Sequence, residues 1–534
     1  MGTTTLKRTR AVLVALCAST LCPSGALGVT APPSANAVSA CRALLGRTFG
    51  GGRVLGATAI TPPYVAEYGK QSVPVVHPFC LVEGRIEAEE GSEIGFEVWL
   101  PAADRWNQRF LATGSGGSFG NISFHSLARG VNRGFATSSS DDGHKQQRSG
   151  DNTWAYRRPP RVRDFGPRAH HLTTVAAKAV IEAYYGRGVR YSYMWGYSRG
   201  GAQALAAAQR FPQDYDGILA GAPPVSWARE AAKQAWTIHA FSATPESALT
   251  PEQMDALSAA ASRQCAGPDG LIADPRDCNF DPAALRCPGP DAGPCLSEAQ
   301  IAAVRKVYAG PHTTSGERIF HGLARGSEFA WKTMYDVGAL GVDRSGGSWL
   351  GVWRFLIFED PAWTLERLDF DRDPAFAERK IGPLLTQDDP DLGAFARRAS
   401  RLIVFQPWAD EFVPPETVTD YHAAVVERMG REAADAVMRL FMIPGVDHGR
   451  RGAGAGLVVT DERTPVVPAE PGRDLLATLM RWVEEGVAPD QFVATKVDAG
   501  GRVERTRLLC PEPKVARHRG GDPLDAGNWS CAPR

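Results

Sequence analysis

The stretch Trp195-Gly196-Tyr197-Ser198-Arg199-Gly200-Gly201 constrains the fold more than any other part of this chain. It carries the pattern Gly-x-Ser-x-Gly between two segments of opposite character. Residues 189–195 are rich in aromatic and β-branched side chains, which suit a strand. Residues 202–210 are strong helix formers. A strand that turns at once into a helix needs glycine where side chains would collide. The same turn exposes the serine beside backbone N–H groups able to bind an oxyanion. Ser198 is therefore a candidate nucleophile. The bare pattern arises by chance in a chain with 56 glycines, so its context must agree with it.

The surrounding chain alternates strand and helix signals. Residues 94–100 alternate apolar and polar and stop at Pro101. Residues 109–113 lead into a glycine-rich turn, 114–120, and 134–139 read as another short strand. Residues 169–185 carry apolar positions at helical spacing and end at Gly186, a C-cap signal. Residues 216–223 read as the next strand. This order predicts a mostly parallel sheet. After about Val225 the alternation stops, and the stretch to about Arg398 holds four cysteines and many tryptophans. It is too long for a loop and predicts an inserted domain. Strands resume at 402–405 and 437–442, and a tail with Cys510 and Cys531 follows. The expected divisions are 38–224, 225–398 and 399–534.

Lys and Arg balance Asp and Glu at 59 each, and no basic run is interleaved with aromatics, which argues against a nucleic-acid surface. Lys7, Arg8 and Arg10 precede an apolar run, 11–22, that is too short to span a bilayer. Ala35-Asn36-Ala37 offers a cleavage site, so 1–37 reads as a signal peptide and the mature protein as secreted or periplasmic. No later segment is apolar enough to cross a membrane. Past residue 37 remain Cys41, Cys80, Cys265, Cys278, Cys287, Cys295, Cys510 and Cys531. An even number in an exported chain favours disulfides. Their clustering suggests four local pairs, 41 with 80, 265 with 278, 287 with 295 and 510 with 531. No C-x2-C spacing supports zinc.

An α/β-hydrolase sheet carries its triad in the chain order Ser, acid, His, each after a strand. Asp410 follows the strand at 402–405, and His448 follows the last strand. His448 would take the Ser198 proton, and Asp410 would orient the imidazole. Glu411 and Asp447 compete as the acid, although Asp447, next to the histidine, points its side chain away from the ring. Among the eleven histidines, His170, His171 and His422 fall on helices and read as structural. The oxyanion donors would be the N–H of Arg199 and that of Gly116 or Gly117.

At these residues the chain resembles the tannase and feruloyl esterase family, which includes the mono-(2-hydroxyethyl) terephthalate hydrolases. Beyond the serine motif, the resemblance rests on Asp164-Phe165-Gly166, residues 177–186 and 209–218, residues 358–363, and Trp408-Ala409-Asp410. It implies a secreted serine esterase of aromatic acid esters, with residues 225–398 as a lid. Two departures stand out. The family carries cysteines just before the serine and just after the histidine, joined as a disulfide. Here the positions hold Tyr197 and Gly449, which implies loops held by packing and a more mobile His448 loop. The family also binds calcium in an aspartate-rich lid loop. Here residues 265–274 keep Asp269, the Leu271 carbonyl and Asp274 as candidate ligands, short of the usual six oxygens. A metal-free, disulfide-closed turn is the alternative.

The sequence thus points to an esterase working through an acyl-enzyme, with no cofactor needed for the chemistry and a small aromatic ester as its partner. Trp349, Trp353, Phe355 and Phe358 are candidates for the acid pocket or for lid core. The Arg199 side chain would reach a substrate carboxylate or phenolate, or lie in solvent. The alternatives are a terephthalate monoester or polyester-fragment hydrolase, an acyltransferase, and a non-catalytic binding protein on the same fold.

Overall fold

The strand Tyr191–Tyr197 buries Met194 in one apolar cluster and Tyr193 in another. A strand with no wet face belongs in the middle of a sheet covered by helices on both sides. The computed structural model describes residues 32–68, 71–145, 152–289, 293–336, 347–459 and 469–534. Its main sheet has ten strands. In chain order they are β1 (Thr48–Phe49), β2 (Gly52–Ile60), β3 (Phe79–Ile86), β4 (Ile94–Pro101), β5 (Arg109–Thr113), β6 (Ala136–Ser140), β7 (Tyr191–Tyr197), β8 (Gly217–Gly221), β9 (Arg401–Pro407) and β10 (Met438–Ile443). Across the sheet they run β1-β2-β3-β4-β6-β5-β7-β8-β9-β10.

The sheet is mixed. From β6 to β10 every neighbouring pair is parallel, as the strand–helix alternation predicts. From β1 to β6 every pair is antiparallel. Short connections account for β1–β2 and β3–β4, joined through residues 50–51 and 87–93, because a parallel pair needs a crossover of a dozen or more residues. Only Gly50 and Gly51, both at positive φ, join β1 to β2.

Helices cover both faces. On one side α2 (Ala169–Tyr185) and α3 (Arg199–Arg210) contribute Val180, Ile181, Ala204 and Leu205 to a core shared with Met194, Ile218 and Val404. Gly186 ends α2 in the left-handed conformation. On the other side a helix near the C-terminus, Leu475–Glu485, packs Leu475, Leu479 and Trp482 against Tyr193, Leu219 and Ile403. Each such fully buried large side chain stabilises the fold by about 1.5–3 kcal/mol.

Between β8 and β9 the described residues add no strand to the main sheet. This segment is helical and has its own core, with Trp331, Trp353 and Trp363 at its centre. It opens with α4 (Trp227–Ser242), whose first turn is capped by the Ser226 hydroxyl. The tail forms two hairpins, Phe492–Val497 with Val503–Leu509 and Lys514–His518 with Trp529–Pro533. Four disulfides join the expected neighbours, Cys41–Cys80, Cys265–Cys278, Cys287–Cys295 and Cys510–Cys531. Of the expected leader, residues 1–31 lie outside the described residues. Its cleavage motif forms the first turn of helix Ala35–Arg42 (α1), capped by Ser34. Among the described residues no helix is long and apolar enough to cross a membrane.

Candidate active site

The turn after β7 has the backbone that its glycines imply. Ser198 sits at φ 58° and ψ −122° as the N-cap of α3, a conformation uncommon for a residue with a side chain. A Cβ on Gly196 would lie 2.0 Å from the Gly200 carbonyl oxygen, and one on Gly201 would lie 2.4 Å from that of Gly221. The Ser198 N–H donates to the same Gly221 oxygen at 2.8 Å. The elbow is therefore pinned to β8 as well as to its own strand.

The structure brings Ser198, His448 and Asp410 into one line. His448 Nε2 lies 2.9 Å from Ser198 Oγ, and Nδ1 lies 2.8 Å from Asp410 Oδ2. These loops follow β7, β9 and β10, so parallel packing sets all three side chains at one edge of the sheet. Asp410 is fully buried. Its Oδ1 accepts the N–H groups of Phe412 at 2.9 Å and Val413 at 2.8 Å, and its Oδ2 accepts Gln406 Nε2 at 3.0 Å. Burial by itself would lower the His448 pKa, but the charge and hydrogen bond of Asp410 outweigh it and hold the pKa above its ordinary value. Asp447, the rival acid, pairs with Arg451 instead.

The chain neighbours of Ser198 and Asp410 hold the backbone of His448. The Tyr197 hydroxyl donates to the His448 carbonyl at 2.7 Å. Glu411 Oε2 accepts the His448 N–H at 3.0 Å. Burial, then the Asp410 charge, pushes the Glu411 carboxyl up to about 7. The Ser198 and His448 loops are thus joined by a hydrogen bond, and not by the packing alone that Tyr197 and Gly449 suggested. Nothing in the residue types marked Glu411 or Tyr197 as clamps. Their positions beside Asp410 and Ser198 were the one signal.

The glycine-rich turn after β5 lies against the start of α3. A Cβ on Gly114 would be 2.6 Å from Gly200 Cα. Gln203, one helical turn past the serine, accepts the Ser115 N–H at 3.1 Å and donates to both Asp142 oxygens at 3.0 Å. Ser115 Oγ also donates to Asp142. This buried network holds the turn that contains Gly116 and Gly117 beside the serine.

The Arg199 side chain is neither solvated nor free to reach a ligand. It is 2 % exposed, donates to the Phe165 and Gly166 carbonyls, and lies 4.3 Å over the Phe165 ring. Burial brings its pKa down to about 10. Two of the pocket candidates belong to the core of the inserted segment, since Trp353 and Phe358 cluster with Trp363, the three ring centroids lying 5.6–5.9 Å apart, and Trp353 donates to the Ala231 carbonyl. Trp349 packs on Trp227, which meets Phe165 at 5.8 Å. Phe355 meets Tyr156 at 6.0 Å. Phe412, from the acid loop, meets the His448 ring edge-on at 5.4 Å. His422, which reads as structural on its helix, is buried.

The candidate calcium ligands do not form a donor set that fits the ion. Asp269 is buried against Arg507, 3.1 Å away, whose guanidinium lies 3.6 Å over the Trp529 ring. Asp274 is bonded to Arg276 and Arg534. The Leu271 carbonyl accepts the Gly267 N–H at 2.9 Å. Calcium needs six or more converging oxygens, whereas these carboxylates face guanidinium groups.

The tannase and feruloyl esterase family profile matches residues 80–350 and 354–532. An uncharacterized esterase of Xanthomonas campestris pv. campestris is 34% identical over 96% of this chain and 94% of its own length. The crystal structure of feruloyl esterase B from Aspergillus oryzae superposes with a TM-score of 0.85 at 26% identity, covering 93% of this chain and all of that one. A tannin acyl hydrolase from Aspergillus niger shares the fold, with a TM-score of 0.74 at 20% identity over 94% of this chain and 97% of its own. The chain therefore belongs to the tannase and feruloyl esterase family of carboxylic ester hydrolases, built on an α/β-hydrolase sheet.

Proposed function

We propose that this protein is an exported serine esterase that hydrolyses esters of aromatic acids, hydroxycinnamic or gallic in type. The observation that carries the reading is the unbroken hydrogen-bonded line from Ser198 through His448 to Asp410. In this reading Ser198 attacks the ester carbonyl while His448 takes its proton. The oxyanion is held by the N–H of Arg199 and that of Gly116 or Gly117. His448 then returns the proton to the leaving alcohol, and water releases the acid from the acyl-enzyme by the reverse path. Asp410 keeps the imidazole in the productive tautomer and stabilises the imidazolium. The aromatic acid class is supported by the family, by the feruloyl esterase likeness, and by the Phe412 ring against His448. Export is supported by the basic and apolar N-terminus and the four disulfides. We assign residues 225–398 as the lid, inserted between sheet portions 38–224 and 399–534.

The test is a panel of methyl ferulate, methyl gallate, a terephthalate monoester and simple aliphatic esters, with Ser198→Ala as control. Aromatic esters should turn over fastest, and Ser198→Ala should be inactive and unlabelled by a fluorophosphonate. Turnover confined to aliphatic esters would remove the substrate class, and an active Ser198→Ala would remove the triad.

A further inference from the structure

The described residues place a fully buried lysine of the inserted segment behind the acid loop. Lys233, on α4, is 1 % exposed by side chain. Its Nζ donates to the Phe412 carbonyl at 2.5 Å and the Glu411 carbonyl at 3.5 Å. These carbonyls belong to the peptide groups 411–412 and 412–413. The N–H ends of the same two groups belong to Phe412 and Val413, and both donate to Asp410 Oδ1. An ammonium at one end of a peptide group withdraws electron density from its oxygen and makes its N–H a stronger donor. Two such chains run in parallel from one ammonium to one carboxylate oxygen.

We propose that Lys233 is a positioning residue for Asp410, acting through these two peptide groups, so that the inserted segment sets the acid of the triad. This inference rests on the triad reading above. Lys233 has no solvent to serve. Its counter-ion is Glu230, one turn earlier, with Oε2 at 3.6 Å and no hydrogen bond to either carboxylate oxygen. A buried lysine in so loose an ion pair costs free energy, and the two carbonyls are its closer partners. The charged groups facing Lys233 are Glu230 from its own helix and Asp410 and Glu411 from the acid loop. Those facing His448 are Asp410, Glu411 and Asp447, and Glu230 in turn feels Asp410 and His448.

The experiment compares Lys233→Met, Lys233→Met/Glu230→Gln, Lys233→Arg and Glu230→Gln in the full exported chain, with Ser198→Ala alongside. The readouts are kcat, KM and the pH dependence of kcat/KM on an aromatic methyl ester. Both variants without the lysine should lose about tenfold or more in kcat, with KM within about twofold. Lys233→Met should also move the acid limb upward by about half a pH unit, because the cation facing Asp410 is gone and the carboxylate holds the imidazolium more strongly. Lys233→Arg, which can reach both carbonyls, should recover most of the rate. Glu230→Gln leaves the carbonyl contacts in place and should stay within about threefold of the parent. A folded lysine-free variant with the parent's kcat overturns the proposal. So does a Glu230→Gln loss as large as about tenfold, which would make the ion pair the functional unit and is readable even where the Met variants do not fold. In both cases an inactive Ser198→Ala leaves the triad standing, whereas an active one refutes the triad itself.

Discussion

Tyr197→Phe removes one hydroxyl and keeps the ring, which packs 5.9 Å from Phe405 and 5.3 Å from His448 between centroids. The hydroxyl donates to the His448 carbonyl at 2.7 Å in a part-buried contact. A neutral hydrogen bond contributes about 1 kcal/mol net, and leaving a buried acceptor unpaired costs about 1–3 kcal/mol. Partial burial places this case in the lower half, at about 1–2 kcal/mol. The loop keeps its second tether, the Glu411 carboxylate on the His448 N–H. The loss should therefore appear as misalignment of the imidazole rather than as unfolding. At about 1.4 kcal/mol per tenfold, kcat should fall about 5- to 30-fold while KM stays nearly constant. The His448–Asp410 contact is untouched, so the acid limb of the pH profile should not move. Steady-state kinetics across pH, with thermal unfolding in parallel, measure all three quantities. A Tyr197→Phe enzyme with the parent's kcat refutes the reasoning. The covalent version asks the same question: Tyr197→Cys/Gly449→Cys should form a crosslink in the folded protein, and its absence means the loops are not aligned as described.

Asp410→Asn should lower kcat by about 10³–10⁴-fold, as loss of the orienting carboxylate does in a serine triad. Because Asp410 raises the His448 pKa, activity in the parent should be lost as pH falls through a value above about 6.5, and the variant's acid limb should shift downward. The same raised pKa gives a stability contribution that is full below about pH 6.5 and is lost as pH rises through the folded value. Equilibrium unfolding of the parent and of His448→Gln across that window separates this contribution from the rest. Arg507→Met leaves Asp269 buried without its partner, with side chains 3 % and 2 % exposed in the parent, and should cost about 3–5 kcal/mol. Arg507→Met/Asp269→Asn should recover most of that loss, and chelation with EDTA should leave Tm unchanged. An EDTA-induced fall in Tm would show that the aspartate loop holds a cation after all.

Local geometry was legible in the sequence. Gly196 and Gly201 are required by contacts within a few residues or with the adjacent strand, so residue type announces the elbow. The six parallel strands, helix 169–185 and the order of Asp410 and His448 follow from periodicity and from the rule that catalytic loops follow strands. Of the four antiparallel strands at the other edge, only 94–100 carries a clear alternating pattern, and pattern alone does not fix which strand it pairs with or in which direction. What the sequence left open are contacts between segments far apart in the chain. Lys233 and Phe412 are 179 residues apart, and Tyr197 and His448 are 251 apart. A lysine in an alanine-rich helix or a tyrosine at a strand end carries no mark of the carbonyl it will meet. A solvated Arg199 was the default because arginine usually is solvated, and Asp269 was a candidate metal ligand because the family resemblance implies an aspartate-bearing calcium loop. Folding decided both by bringing the Phe165 carbonyl and the Arg507 guanidinium to them. The chain by itself pointed to Ser198, Asp410 and His448, which the fold brings into one hydrogen-bonded line. The tertiary structure decided what holds them in place, because orientation is set by buried neighbours that no local pattern encodes.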